Sequence, residues 1–310
     1  MKHYPVLLKE VLELVNASQG SLFVDATVGA GGHTKAILTL NPKARVMGLD
    51  KDNETLGELK DELAQAKLLD RVVLIHSSYA NIAEVASQNG FGKVSGIILD
   101  LGFSSMQLDD QGRGFSFQSN GPLDMRYDRK QKLTAAEVLN SYQEHELAEI
   151  FKKYGEENFS KKIARSVVVQ RQSTPFSTAD EVVHIIKAAL PGSVRHKAND
   201  SIRRIFQALR IEVNHELEDL EKALPQMLKL LEPHGRLAII SFHSLEDRIV
   251  KNFFIEQAKD CVCPPDFPQC VCGKEPELKI ITKKPVVASE SELAENSRSK
   301  PAKLRVAEKI

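Results

Sequence analysis

Three aspartates and a run of glycines carry the chemistry this sequence can do. The segment Phe23-Val-Asp-Ala-Thr-Val-Gly-Ala-Gly-Gly-His33 begins as a β-branched strand, passes Asp25 and then places glycine at 29, 31 and 32. The residues that follow, Thr34-Lys-Ala-Ile-Leu-Thr-Leu40, read as the first turns of a helix. A strand that turns sharply into a helix through glycines lets a ligand approach the backbone, because a Cβ there would obstruct either the turn or the ligand. Asp50 closes the next apolar run, Arg45-Val-Met-Gly-Leu49. An acid at the tip of a second strand, about 20 residues past such glycines, commonly holds the two hydroxyls of a ribose. Loop and acid together predict an adenosine-containing cofactor.

Asp100 ends a further apolar run and opens the loop Leu99-Asp-Leu-Gly-Phe-Ser-Ser-Met-Gln107. Its carboxylate is suited either to accept hydrogen bonds from an exocyclic amine or to cap the following turn. Residues 109–126 are rich in Gly, Ser, Asn and Asp and lack periodicity, as binding loops and lids do. Arg113, Phe115, Phe117, Asp124 and Arg126 suit stacking of a base and pairing of a phosphate. The plainer reading is a surface connection with two phenylalanines in the core. In Ser241-Phe-His-Ser-Leu-Glu-Asp-Arg248, His243 is a candidate proton carrier or a satisfied structural group, and its neighbours Phe242 and Ser244 favour substrate contact.

All four cysteines lie in Cys261-Val-Cys263 and Cys270-Val-Cys272. Four thiols can close a structural zinc site, although paired zinc cysteines usually have two residues between them. Reduced thiols in a reducing compartment are the equal alternative, so the metal assignment stays open. A catalytic zinc is disfavoured, because four thiols leave no open position.

Elements able to position these residues follow from periodicity. Strands are predicted at Leu22–Ala26, Arg45–Asp50, Val72–His76 and Val94–Asp100, with helical patterns between them. Alternation then stops: from about 109 to 210 the pattern is helical, and one long helix is expected over Asp200–Leu231. It resumes with a strand at Gly235–Phe242, a helix at Leu245–Ala258 and strands at Leu278–Lys283 and Lys303–Glu308. This predicts a parallel α/β sheet formed by residues 1–108 and 211–310, interrupted by a helical domain at 109–210 that recognises substrate. Residues 152–210 contain twelve Lys and Arg against five Asp and Glu, an excess of seven positive charges that favours an anionic polymer.

The whole chain is neutral, with 42 basic and 42 acidic residues in 310, and 42% of it is hydrophobic. Charge interrupts the first ten residues and no apolar run reaches the length of a bilayer, so a soluble, cytoplasmic protein with no membrane partner is expected.

Asp25–His33, Asp100–Leu108, Arg113–Phe117, Gly121–Arg126, Arg204–Ile211 and Ser241–Arg248 resemble, in order, motifs of the MraW family of S-adenosylmethionine-dependent rRNA methyltransferases. The resemblance spans nearly the whole chain. It implies a Rossmann-like class I methyltransferase sheet with a helical insertion, and methylation of the N4 amine of a cytidine in the decoding region of 16S rRNA. Its partner would be 16S rRNA or the small ribosomal subunit, with neither DNA nor a metal required. By the same resemblance, cofactor contacts fall on Gly31, Gly32, His33, Asp50, Tyr79, Asp100 and Gln107, with Asp100 catalytic. The base would be walled by Arg113, Phe115, Asp124, Arg126, Phe242, His243 and Ser244. Phe103 stands where an aliphatic residue is common in the family. Rival readings are a methyltransferase for another RNA or a non-RNA substrate, a non-catalytic ribosome-assembly factor, and an NAD dehydrogenase. The last fits poorly, because the loop reads Gly-x-Gly-Gly and not Gly-x-Gly-x-x-Gly. No feature of the sequence specifies an oligomeric partner.

Overall fold

The computed structural model describes residues 5–117, 121–264 and 271–310. The chain divides into two compact units, residues 1–102 with 218–310, and residues 103–217. The boundaries expected at 108/109 and 210/211 therefore both fall inside the second unit.

The first unit is built on a seven-stranded sheet. Its strands are β1 (Leu22–Asp25), β2 (Arg45–Asp50), β3 (Val72–His76), β4 (Val94–Asp100), β5 (Leu231–Ser241), β6 (Leu278–Ile280) and β7 (Lys303–Lys309), in the order β3-β2-β1-β4-β5-β7-β6. The first five run parallel, while β7 pairs antiparallel with β5 and β6. Strand order reverses between β1 and β4, and in open α/β sheets ligands bind outside the carboxyl ends of the strands at such a point. Asp25, Asp50 and Asp100 are the last residues of β1, β2 and β4, so three carboxylates meet at that edge.

Both faces of the sheet are covered, which explains why its strands read as apolar runs and not as alternations. Phe23, Val46, Ile98 and Ile240 pack on one face with Val11, Ile37 and Leu59, while their neighbours Val24, Met47, Ile97 and Ile239 pack on the other with Leu224, Met227 and Phe254. Successive strand residues point to opposite faces, so each strand feeds both cores.

The second unit contains the helices Ala135–Ser141, Glu144–Lys153, Ser160–Arg171, Ala179–Ala189 and Ala198–Asn214. Thr134 with Glu137, and Thr178 with Glu181, form capping boxes that stop two of these helices from extending backwards. Leu147, Phe151, Ile163, Val167, Ile186, Ile205 and Leu209 are fully buried.

Two expectations need correction. The helix expected over Asp200–Leu231 is two helices, Ala198–Asn214 and Glu216–Leu230. The break is His215, left-handed at φ 53°, and the residue before it is held by tertiary bonds: Asn214 donates to Met125 O and accepts from Tyr127 N. A helical pattern of apolar residues runs through this point, so periodicity cannot reveal it. β5 also starts four residues earlier than expected, because Leu231 already pairs with Val94 before an irregularity in the ladder. Among the described residues, no helix is long and apolar enough to cross a membrane.

Candidate active site

The turn after β1 is held from both sides. Val28 N donates to Leu49 O on β2 at 2.8 Å, Gly31 N donates back to Val28 O at 2.7 Å, and Asp100 N donates to Thr27 Oγ1 at 2.7 Å. Gly29 and Gly31 take φ of 47° and 73°, a region costly for residues with a Cβ. Their surroundings differ. A Cβ on Gly31 would strike the Leu59 side chain and one on Gly32 would strike Pro5, so these two glycines allow close packing against the protein itself. A Cβ on Gly29 would approach nothing nearer than Thr27 O at 4.0 Å, which leaves Gly29 as the open face of the turn.

Asp50 is tied into this turn. Its Oδ2 accepts from Gly29 N at 2.8 Å and its Oδ1 from Asp52 N at 2.9 Å. Asp52 caps the helix Asn53–Gln65 by accepting from Glu54 N and Thr55 N, so the strand tip is rigid. A carboxylate oxygen has two lone pairs, so each of these retains capacity for a ligand hydroxyl.

Asp25 lies wholly inside, with Oδ2 accepting from the Thr34 hydroxyl at 2.7 Å. Burial raises its pKa from 3.8 to about 6, against the lowering effect of bonds from Thr34 and Thr27. Burial likewise raises Asp50 to about 6. Asp100 is pushed well above the usual carboxylate range, first by burial and then by the charges of Asp25 and Glu246. Oδ1 of Asp25 and Oδ1 of Asp100 are buried with no hydrogen-bond donor among the described residues. An unsatisfied buried acceptor costs roughly 1–3 kcal/mol. Three crowded acids with spare acceptor capacity suit a cationic ligand rich in donors.

His33 is buried, and Tyr79 is half-buried as Asp50 is. His33 Nε2 donates to Val6 O at 3.1 Å, and burial lowers its pKa to about 4, so the ring is neutral and acts as a strut behind the turn. Tyr79 opens the short helical turn Tyr79–Asn81 after β3 and lies half-buried against the core.

Beyond β5, Phe242 N and His243 N both donate to Glu246 Oε2, at 2.8 and 3.2 Å. His243 Nδ1 accepts from Glu246 N at 3.4 Å, which caps the helix Ser244–Gln257 and places the ring proton on Nε2. Nε2 lies 3.1 Å from Glu246 Oε1 but without hydrogen-bond alignment. Of the two readings of His243, the geometry gives it a capping duty. Ser244 is exposed at the first turn of that helix.

In the second unit, five expected site residues build a framework. Gln107 and Ser104 form a capping box, with Ser104 N donating to Gln107 Oε1 at 2.9 Å. The side chain of Arg113 is buried and its Nη2 donates to Arg126 O and Tyr127 O at 3.1 and 3.0 Å. Phe115 stacks between Phe103 and Tyr127, with ring centroids 5.2 and 5.6 Å apart. Asp124 and Arg126 pair at two points, 2.8 and 2.7 Å. Burial alone would raise the Asp124 pKa, but the Arg126 bonds outweigh it and hold it below the usual value. Phe117 meets Phe206 edge-on at 5.7 Å. Of the twelve basic residues in 152–210, ten are exposed; Arg171 donates to the carbonyls of Leu139 and Tyr142, and Arg210 pairs with Glu216.

Sequence reasoning did not single out Thr27, Thr34 or Glu246. Thr27 and Glu246 act on Asp100 from far along the chain, and no local pattern signals such a partnership. Cys261, Cys263 and Cys272 converge, whereas Cys270 lies outside the described residues.

Comparison with known proteins agrees over the full length. The chain matches the MraW methylase family over residues 1–310. It is 50% identical over 310 residues to a protein of Heliobacterium modesticaldum named ribosomal RNA small subunit methyltransferase H, covering 99% of this chain and 98% of that one. Proteins of the same name from Carboxydothermus hydrogenoformans and Clostridium botulinum strain Loch Maree are each 48% identical, covering 99% and 100% of this chain and 98% and 99% of theirs.

Proposed function

The chain belongs to the MraW methylase family, and from that premise we propose that it moves a methyl group from S-adenosylmethionine to the N4 amine of a cytidine in the decoding region of 16S rRNA. Full-length relatives named for the small-subunit rRNA support the substrate class. The observation that carries the cofactor assignment is the trio of strand-end aspartates, Asp25 buried and Asp50 and Asp100 half-buried, with Asp50 bonded to the Gly29 turn and with Oδ1 of Asp25 and of Asp100 lacking a donor among the described residues. Asp50 would accept from the ribose hydroxyls with the lone pairs left by Gly29 and Asp52. Asp25 and the Gly29 turn suit the cationic, donor-rich methionine end, and Tyr79 would flank the adenine. Gly31, Gly32 and His33 shape the turn from behind. When bound, the cofactor supplies an electrophilic methyl carbon on a positively charged sulfur.

The amine of cytosine is a weak nucleophile because its lone pair delocalises into the ring. A carboxylate that accepts its N–H localises that pair as attack begins. On gaining a fourth bond the nitrogen must shed a proton, and Asp100, with its raised pKa, is matched to receive it. Positioning supplies much of the rest, up to ~7–11 kcal/mol in well-aligned cases. The exposed basic residues of the second unit would hold rRNA phosphates. Arg113, Phe115, Asp124, Arg126 and Gln107 would serve this scheme at least by shaping the 103–126 segment.

The direct test uses small subunits from cells lacking the gene, incubated with purified protein and labelled S-adenosylmethionine. Mass spectrometry of the digested 16S rRNA is expected to locate one new methyl on a single cytidine. A methyl on another base, or none, would sink the assignment.

The acid cluster also sets a pH dependence. Asp25 and Asp50 ionise at about 6, so a cationic ligand meets carboxylates above that pH and neutral acids below it. Calorimetry from pH 8 to pH 5 should show S-adenosylmethionine losing affinity relative to S-adenosylhomocysteine, which lacks the sulfonium charge, by roughly tenfold or about 1.4 kcal/mol. A constant ratio across that range would show that the acids do not sense the sulfonium charge.

A further inference from the structure

The excursion between the helix Ser244–Gln257 and β6 is closed at its base, where Glu277 N donates to Gln257 O at 2.8 Å. Among the described residues of its tip, no apolar side chain is buried. Val262 is 51% exposed and Val271 72% exposed, so burial of these side chains does not hold the tip together. Small segments without a core need a disulfide, a metal or another staple. Yet the Sγ atoms of Cys261, Cys263 and Cys272 all lie within 4.8 Å of one another, with Cys261 and Cys272 3.9 Å apart.

That spacing suits one tetrahedral ion. With zinc–sulfur bonds of ~2.3 Å, the vertices of a tetrahedron are about 3.8 Å apart. The backbone is arranged for charged sulfur as well. Val262 N donates to Cys272 Sγ at 3.4 Å, Cys263 N to Cys261 Sγ at 3.4 Å, and Val271 N to Cys263 Sγ at 3.5 Å. Each sulfur thus accepts one amide. Amide donors to ligating atoms are the usual outer support of a metal centre, because they spread the negative charge and fix ligand orientation. Three thiolates this close would repel one another unless a cation lay between them. The single residue between Cys261 and Cys263 is also no obstacle, since their sulfurs converge in this fold.

We propose that Cys261, Cys263 and Cys272 bind a zinc ion that staples the tip of this excursion. Zinc is favoured among thiophilic ions because it takes tetrahedral thiolate sites and needs no redox chemistry. Binding displaces a proton from each thiol that is not already ionised, so affinity rises with pH. Cys270 lies outside the described residues and is left unassigned.

The test uses the full chain, produced with added zinc and purified under reducing conditions without chelator. Elemental analysis is expected to find one zinc per chain. Cobalt exchanged into the site is expected to give the visible bands of a tetrahedral ion together with sulfur-to-metal charge transfer. Cys261→Ser, Cys263→Ser and Cys272→Ser should each weaken zinc at least ~10-fold in competition with a coloured chelator. Circular dichroism and methyl transfer should stay unchanged, which separates loss of metal from loss of fold. If a serine variant does not fold, reversible loss and return of the cobalt bands in the unaltered chain decides the matter. The proposal is overturned by a chain with zinc no higher than the buffer blank, by a six-coordinate cobalt spectrum, or by serine variants that hold metal as tightly as the original.

Discussion

Asp100→Asn is expected to lower the rate of methyl transfer by about 10²–10³-fold while cofactor affinity changes little. The amide preserves the shape of the side chain and the bond from the Asp100 backbone to Thr27. It lacks the negative charge proposed to localise the amine's lone pair, and it could not take up the proton. The same change is expected to raise the thermal midpoint at pH 8 by roughly 2–4 °C. Burial and the charges of Asp25 and Glu246 make the ionised Asp100 costly to the fold, and the neutral amide removes that cost. The sign with pH is definite, because this pKa is raised in the folded state. The penalty is absent below the ordinary carboxylate pKa, grows as pH rises, and is complete above the raised value. The gain in midpoint of the variant should therefore vanish as the pH is lowered. Single-turnover rates and melting curves measured on the same samples check both halves. Full activity in the variant would remove Asp100 from the mechanism, and a stability gain independent of pH would remove the electrostatic account.

Gly114→Ala is expected to destabilise the second unit by ~3 kcal/mol or more. Gly114 has φ 71°, and a Cβ there would strike Pro122 O, with Asp124 N also only 3.0 Å away. Both obstacles are backbone, so no rotamer change relieves them. The contact is part of a dense knot. Met125 N donates to Arg113 O, Leu123 N to Ser177 O, and Pro122 bridges to Thr178. Displacing it would disturb the seating of Arg113 and Phe115 together. The matched control is Gly57→Ala, where a Cβ meets nothing within 4 Å on the helix Asn53–Gln65. That change should be neutral or stabilising by about 0.5–1 kcal/mol. Urea unfolding, combined with the rate of proteolytic cutting within 103–126, compares the two. Equal midpoints would refute the packing argument.

Much of the sheet was legible because both periods of the chain are simple. Apolar runs of four to seven residues between helical patterns located β1 to β4 to within a residue. The site was partly legible for a related reason: Asp25, Asp50 and Asp100 end their strands, and a strand's last residue is visible wherever the apolar run stops. Helix breaks were harder. His215 interrupts a continuous amphipathic pattern because Asn214 is claimed by Met125 and Tyr127, which are distant in sequence. Residue type left the second unit open. Arginine, phenylalanine and aspartate suit nucleic acid, and the same guanidiniums and rings equally suit a loop that must satisfy its own carbonyls.

By itself, then, the sequence determined the sheet and the three acids at its edge, since these follow from local periodicity and from where apolar runs end. It also carried the motifs by which the family is known. Only the tertiary structure decided what each polar group does. Gly29 is the open glycine because Leu59 and Pro5 lie behind Gly31 and Gly32. Oδ1 of Asp25 and Oδ1 of Asp100 are buried and meet no donor among the described residues. Arg113 instead found two carbonyls. Hydrogen-bond satisfaction depends on partners that only folding brings within about 3 Å, and nothing in residue type or spacing encodes that count.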